Sequence, residues 1–206
     1  MNLNKEKSLF KKGYKGIVGL DEVGRGPLAG PVFAAAVIIK NCKFGIKNLE
    51  DVNDSKKLSP KKREEVYELL INSPHIKWGI GSVSEKVIDR INILEATKKA
   101  MIQAIKNLEK RNKKTKIDYL IIDGNFSINA KIPQESIIKG DAKIFSCAAA
   151  SIIAKVTRDR LMDKYHKKYP QYGFDKHKGY PTKKHRLLIK KYGRCKIHRL
   201  TFKSGI

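Results

Sequence analysis

The longest uninterrupted apolar run in the chain is Val32 to Ile39, VFAAAVII. It is far shorter than the roughly 20 residues a helix needs to cross a bilayer. It suits a strand buried along its whole length, as does the neighbouring run Gly16 to Asp21 (GIVGLD). Two such strands commit the chain to a sheet whose faces are covered by other elements.

The remaining elements follow from local signals. The loop between the two runs, EVGRGPLAG, is rich in Gly and Pro. Ser59-Pro60 predicts a helix start, with a Ser cap and Pro at the first helical position. That helix runs to about Ile71, with Val66, Leu69 and Leu70 facing inward. Ile76 to Val83 fits a third strand. Ser82 and Glu85 have capping-box spacing ahead of a helix that repeats Leu94, Thr97, Met101, Ala104 and Leu108. Ile117 to Asp123 and Glu135 to Lys139 read as the fourth and fifth strands. Phe145 to His166 is a long helix with Ala149, Ile152, Ile153 and Val156 as its apolar stripe, and Thr182 to Lys191 is a last helix stopped by Gly193. No internal repeat or linker divides the 206 residues. The expected architecture is one α/β domain with a mixed sheet and helices on both faces. Residues 1–14 form a mobile basic lead-in, and about 165–206 form a helical C-terminal part. Ligands in such sheets collect where strand ends meet.

Charge narrows the partner. Lys plus Arg is 45 and Asp plus Glu is 20, so the net charge is 45 − 20 = +25. Such an excess points to a polyanion, above all nucleic acid, although a Lys-rich composition also reflects genome bias. Cys42, Cys147 and Cys195 are scattered and odd in number, which argues against a disulfide framework and for a reducing, cytoplasmic setting. The five histidines show no zinc pattern. Met1 to Lys15 lacks the apolar core of a signal peptide, and no membrane association is expected.

In so basic a chain, acids at the ends of apolar strands need an explanation. Asp21 and Glu22 end the first strand, Asp123 ends the fourth, and Asp141 follows the fifth. Converging carboxylates repel unless cations neutralise them. Oxygen-only clusters suit Mg²⁺ or Mn²⁺, and a pair of such ions serves phosphodiester cleavage. Each acid alone reads equally well as a turn cap or a lysine partner. Successive strand residues face opposite ways, so Asp21 and Glu22 share a site only if the strand ends or twists there. Gly24-Arg25-Gly26 directly afterwards makes that feasible. The same loop lets backbone N–H groups approach a sugar or phosphate, and Arg25 is suited to a phosphate, but tight turns use Gly anyway. Ser55, Lys56 and Lys57 precede a helix N-terminus, a place for a backbone phosphate or a plain solvated cap. Tyr180, in HKGYPT, is placed to stack on a sugar or to cover the core edge.

Taken together, GLDEVGRGPLAGPV, NDSKKLSPKKRE, INILEATKKAM, IIDGN, KGDAK, CAAASIIAKVTRDR, YPQYGFDKHKGYPT and HRLTF resemble ribonuclease HII, the type 2 ribonuclease H family. They run in family order from about Gly19 to Phe202. The resemblance implies a ribonuclease H-like fold with a five-stranded mixed sheet flanked by helices. It implies cleavage of the RNA strand of RNA–DNA hybrids, and cutting 5′ to single ribonucleotides in duplex DNA to leave 3′-hydroxyl and 5′-phosphate ends. The family's four metal-site acids fall on Asp21, Glu22, Asp123 and Asp141, with two Mn²⁺ or Mg²⁺ ions expected. Its glycine–arginine–glycine motif falls on Gly24, Arg25 and Gly26, which would read the ribose 2′-hydroxyl. Its tyrosine falls on Tyr180, which would pack on the neighbouring deoxyribose. Lys56, Lys57 and Lys143 are candidates for holding the duplex backbone. The early Asp21 leaves no room for the N-terminal domain of the related ribonuclease HIII. Phe126 departs from the pattern, since relatives often carry a basic residue there. A monomer is expected. Two other readings stay open: a non-catalytic basic nucleic-acid-binding protein, and a DNA junction resolvase on the same fold.

Overall fold

The computed structural model describes residues 3–40, 52, 58–112 and 115–203. In chain order the elements are α1 (Asn4–Lys11), β1 (Ile17–Val23), β2 (Val32–Ile39), α2 (Pro60–Asn72), β3 (Ile76–Val83), α3 (Glu85–Arg111), β4 (Tyr119–Asp123) and β5 (Gln134–Ile137). They are followed by α4 (Gly140–Lys143), α5 (Phe145–Lys168), a 3₁₀ turn (Pro170–Tyr172), α6 (Phe174–His177) and α7 (Lys183–Tyr192). The strands form one sheet in the order β3-β2-β1-β4-β5. β1 is antiparallel to β2, and β2 to β3. β4 is parallel to β1, and β5 to β4. The sheet is therefore mixed, and β1 is its centre.

Alternation assigns each face its helices. Val18, Leu20, Ala34, Ala36, Ile38, Leu120 and Ile122 pack under α3. Ala35, Val37 and Ile39 pack against α2 and α5. The helices come close because glycines lie beneath them. A Cβ added at Gly81 would run into the α3 backbone at Ala100, and one at Gly19 would run into the α5 backbone at Ser146. Gly19 therefore lets α5 start directly over the end of β1, two residues before Asp21.

Several expectations shift. Residues 1–14 are not simply a lead-in: α1 buries Leu9 and Glu6, with Leu3 buried just ahead of it. Glu6 accepts the Ser146 N–H at the start of α5 (2.9 Å). In α2 the inward face is Val66, Tyr67 and Leu70, while Leu69 is 46% exposed. The helical phase turns Leu69 away and brings in Tyr67, whose ring carries the Arg160 guanidinium. Ser59 caps α2 as expected, accepting the Lys62 N–H. Ser82 is no cap, because it still lies in β3, and Ser84 is the residue before α3. Inside α3, Asn92 adopts φ +62° and its Oδ1 accepts the Leu94 and Glu95 N–H groups, so the helix is kinked and capped again there. Among the described residues no helix is long and apolar enough to cross a membrane.

The C-terminal part has its own core of Ala29, Met162, Tyr172, Phe174 and Ile197. Beside it lie His185 and His198, both buried. The Cys195 N–H donates to His198 Nδ1 (2.9 Å), so the proton of that ring is on Nε2, which faces His185 Nε2 at 3.2 Å. His185 in turn donates from Nδ1 to the Tyr180 carbonyl (2.9 Å). Both rings must be neutral for this chain to hold. Burial, chiefly, lowers each pKa from 6.5 to about 4. A histidine with a depressed folded pKa supports the fold above its unfolded value, and that support is lost as pH falls toward the folded value. Thermal stability should therefore decline from pH 6.5 down to about 4. A His185→Gln, His198→Gln double variant should melt lower at neutral pH yet show a shallower decline. Equal slopes in melting scans would contradict the assignment.

Candidate active site

β1 and β4 run side by side, and their ladder ends with Leu20 opposite Ile122. One step further along, Asp21 and Asp123 stand on the same face, the one that α5 covers. Asp141 arrives from α4, after a turn in which Lys139 takes φ +60°. The Gly140 N–H donates to Asp123 Oδ1 (2.8 Å), which ties that turn to the end of β4. The result is a cluster: Asp21, Asp123 and Asp141 each offer a carboxylate oxygen within 4.8 Å of the others. Asp21 and Asp141 are buried, and Asp123 is half-buried.

Glu22 is set apart from that trio. It pairs across the sheet with Ala34, whereas Asp21 pairs with Ala35, so the pleat sends it toward the other face. Its carboxylate instead lies 3.5 Å from Arg25 Nη1, and it lines the same cleft as Asp21. That cleft has a volume of about 240 Å³ and is bounded by Asp21, Glu22, Gly24, Arg25, Gly26, Asp123, Ser151, Lys155 and Tyr180. Tyr180 is 38% exposed, and its ring edge is 3.7 Å from where a Cβ on Gly26 would sit. Phe126 lies under the Arg25 guanidinium, 5.7 Å from ring centre to Cζ. This residue therefore helps to hold the arginine of the loop. Lys143 is outside the cleft lining and donates to the Ile138 carbonyl (2.9 Å). Ser55, Lys56 and Lys57 lie outside the described residues.

Electrostatics match the geometry. Burial, then the charges of Glu22 and Asp123, hold the Asp21 carboxyl well above its usual range, against the opposing hydrogen bond from Ser151. The Glu22 N–H also donates to Asp21 Oδ1 (2.7 Å). Beneath the cluster, burial and the charges of Asp21 and Asp123 push the Cys147 thiol up. Three acids held this close fit a divalent cation: all the clustered donors are hard oxygens, and a cation among them would offset their repulsion.

Two cleft residues carry no mark in the sequence reading. Ser151 and Lys155 sit four apart on α5, so they share one helical face. Lys155 Nζ is 2.8 Å from Asp159 Oδ1 and 6.0 Å from the Tyr180 ring, and burial lowers its pKa. Their signal was polar residues at helical spacing within an otherwise apolar stretch.

A family model described as ribonuclease HII matches residues 18–205. A ribonuclease HII of Acetivibrio thermocellus is 55% identical over 197 residues, spanning 96% of this chain and 73% of the relative. That of Chlamydia muridarum is 51% identical over 205 residues, spanning 97% and 90%. Among solved structures, the ribonuclease H2 of Pyrococcus horikoshii matches with a TM-score of 0.70 at 29% identity, covering 91% of this chain and 94% of that one.

The crowded carboxylates lead to a stability test. Asp21→Asn removes one of the repelling charges, so it should raise the melting temperature in chelator. It should also shrink the rise that Mn²⁺ produces in the unaltered protein. An equal Mn²⁺ response in both proteins would show that Asp21 holds no ion.

Proposed function

The chain belongs to the ribonuclease HII family, endoribonucleases that act on RNA–DNA hybrids, and we propose that it cuts with Asp21, Glu22, Asp123 and Asp141 as its metal-binding carboxylates. The observation that carries this reading is the mutual approach of Asp21, Asp123 and Asp141, the first two of which line a cleft together with Gly24, Arg25, Gly26 and Tyr180. Glu22 completes the set from the rim of that cleft.

Two Mg²⁺ or Mn²⁺ ions, when bound, supply a water of lowered pKa and charge stabilisation at the leaving 3′ oxygen. The protein's own groups do the rest. Ser151 and the Glu22 N–H orient the Asp21 carboxylate, and the Gly140 N–H orients Asp123. Arg25 and Lys155 bring positive charge to the cleft wall, where the cut phosphate would lie. The backbone N–H groups of the Gly24-Arg25-Gly26 loop meet the ribose 2′-hydroxyl. Tyr180 packs against the deoxyribose on the next nucleotide and leaves no room for a hydroxyl there. One contact requires the hydroxyl and the other refuses it, which directs the cut to the 5′ side of a ribonucleotide embedded in duplex DNA. Hydrolysis leaves 3′-hydroxyl and 5′-phosphate ends. Lys143, with Ser55, Lys56 and Lys57, holds the duplex backbone, a contribution that weakens with salt. The enzyme acts as a monomer in the cytoplasm, in keeping with the free thiols of Cys147 and Cys195.

Matched duplexes with and without one ribonucleotide test the reading. Asp123→Asn should keep the fold and duplex binding while losing more than about 100-fold of the cutting rate, since changes around a metal's ligands alone cost up to that much. Near-normal cutting with Mg²⁺ or Mn²⁺ would reject the assignment. Tyr180→Ala should cut the embedded ribonucleotide with weaker selectivity for the junction, and unchanged selectivity would reject the packing role.

A further inference from the structure

Arg158 on α5 and Arg199 in the C-terminal segment are 0% and 1% exposed. A guanidinium so deep is usually matched by a carboxylate. Among the described residues every side-chain hydrogen bond they make goes to a main-chain carbonyl. Arg199 donates from Nε and Nη2 to Gly30 (3.0 and 2.8 Å), from Nη1 to Arg25 (3.0 Å) and from Nη2 to Gly24 (2.5 Å). Arg158 donates to Pro31 (3.1 Å), Ala29 (3.1 Å) and Lys178 (2.9 Å). The Arg199 N–H adds the Leu28 carbonyl (2.8 Å). Nearly all of these acceptors belong to the single loop between β1 and β2.

Pinning the carbonyls fixes the amides. No peptide bond here is cis, so in each unit the C=O and the following N–H point in opposite directions. The Gly24 and Arg25 carbonyls turn back to Arg199. The N–H groups of Arg25 and Gly26 must therefore point away from it, on the segment that lines the cleft. Among the described residues neither N–H has an acceptor. The charge behind the carbonyls also polarises the peptide units and strengthens those donors. Gly24 belongs to the same arrangement: it takes φ +95°, and a Cβ there would collide with Arg158 Nε.

We propose that Arg199, backed by Arg158, is a positioning residue for ribonucleotide selection: it turns the Arg25 and Gly26 amides into the cleft as donors to the 2′-hydroxyl oxygen. This rests on the loop reading given above. The two arginines touch no substrate themselves. Their effect is on the ratio of affinities for ribose and deoxyribose at one position, which a merely structural role would not move.

The test measures binding in an Asp123→Asn background, so that no strand is cut. Affinities are compared for a duplex with one ribonucleotide and for the all-DNA duplex of the same sequence. Arg199→Lys keeps the charge but cannot span Gly24, Arg25 and Gly30 together. The preference for the ribonucleotide should fall about tenfold, the worth of one hydrogen bond, while all-DNA affinity stays unchanged. Arg158→Lys should lower the preference in the same direction, and it carries the test if Arg199→Lys does not fold. A preference retained in the folded variants overturns the clamp and leaves the loop reading intact, as does an equal loss of affinity for both duplexes. A background protein with no preference overturns the loop reading first, and the clamp with it.

Discussion

Repulsion among Asp21, Asp123 and Asp141 is the interaction on which the rest of the structure depends. Their carboxylate oxygens lie within 4.8 Å of one another, and two of the three side chains are buried. Burial penalises the ionised form of Asp21, and the charges of Glu22 and Asp123 penalise it again. The arrangement is built into the middle of the sheet. Asp21 and Asp123 are set by adjacent parallel strands at the centre of the sheet. Asp141 is fixed through the Gly140 N–H that bonds Asp123. A chain of net charge +25 thus concentrates negative charge at one point, where cations gather and a polyanionic backbone is drawn in by the surrounding surface.

The opposite side of the cleft is held by a different device. The loop from Gly24 to Pro31 contains three glycines, Gly24, Gly26 and Gly30, within seven positions, and at those positions its backbone has little conformational preference of its own. Order comes from outside it. The C-terminal segment pairs with it at Ala29 and His198, the Gly179 carbonyl accepts the Leu28 N–H, and the buried guanidiniums hold its carbonyls. The histidine pair extends the same support to Tyr180 through its carbonyl. Asp21 and Asp123 are therefore positioned by the sheet, and the Gly24–Pro31 loop and Tyr180 by the C-terminal part. The two meet at α5, which presents Ser151 to the first and Arg158 to the second.

Much of this was legible before any coordinates. Apolar runs gave β1 and β2 within two residues, and acids closing apolar strands pointed to Asp21 and Asp123, because a carboxylate at such a place is costly without a reason. The pleat set the condition that Asp21 and Glu22 share a site only if the strand ends or twists there, and both line one cleft where β1 ends. Helix phase was less secure, as the exchange of Leu69 for Tyr67 on the inner face of α2 shows: a stripe of 3.6-residue period leaves its edges ambiguous where an aromatic competes with a leucine. The docking of α1 was hidden because its key contact joins Glu6 to Ser146 across 140 positions. Arg158 and Arg199 were hidden for another reason. Their partners are main-chain carbonyls, which every residue type carries, so no pattern of side chains announces the pairing.

The most direct measurement of the central claim is anomalous diffraction from crystals of the protein grown with Mn²⁺ and a duplex carrying one ribonucleotide in the Asp123→Asn background, with the unaltered protein and an uncleavable duplex as reference. The reference crystals should show two Mn²⁺ peaks within coordination distance of Asp21, Glu22, Asp123 and Asp141, and the variant should lose at least one. Absence of density at this cluster, or ions held by other side chains, would contradict the account.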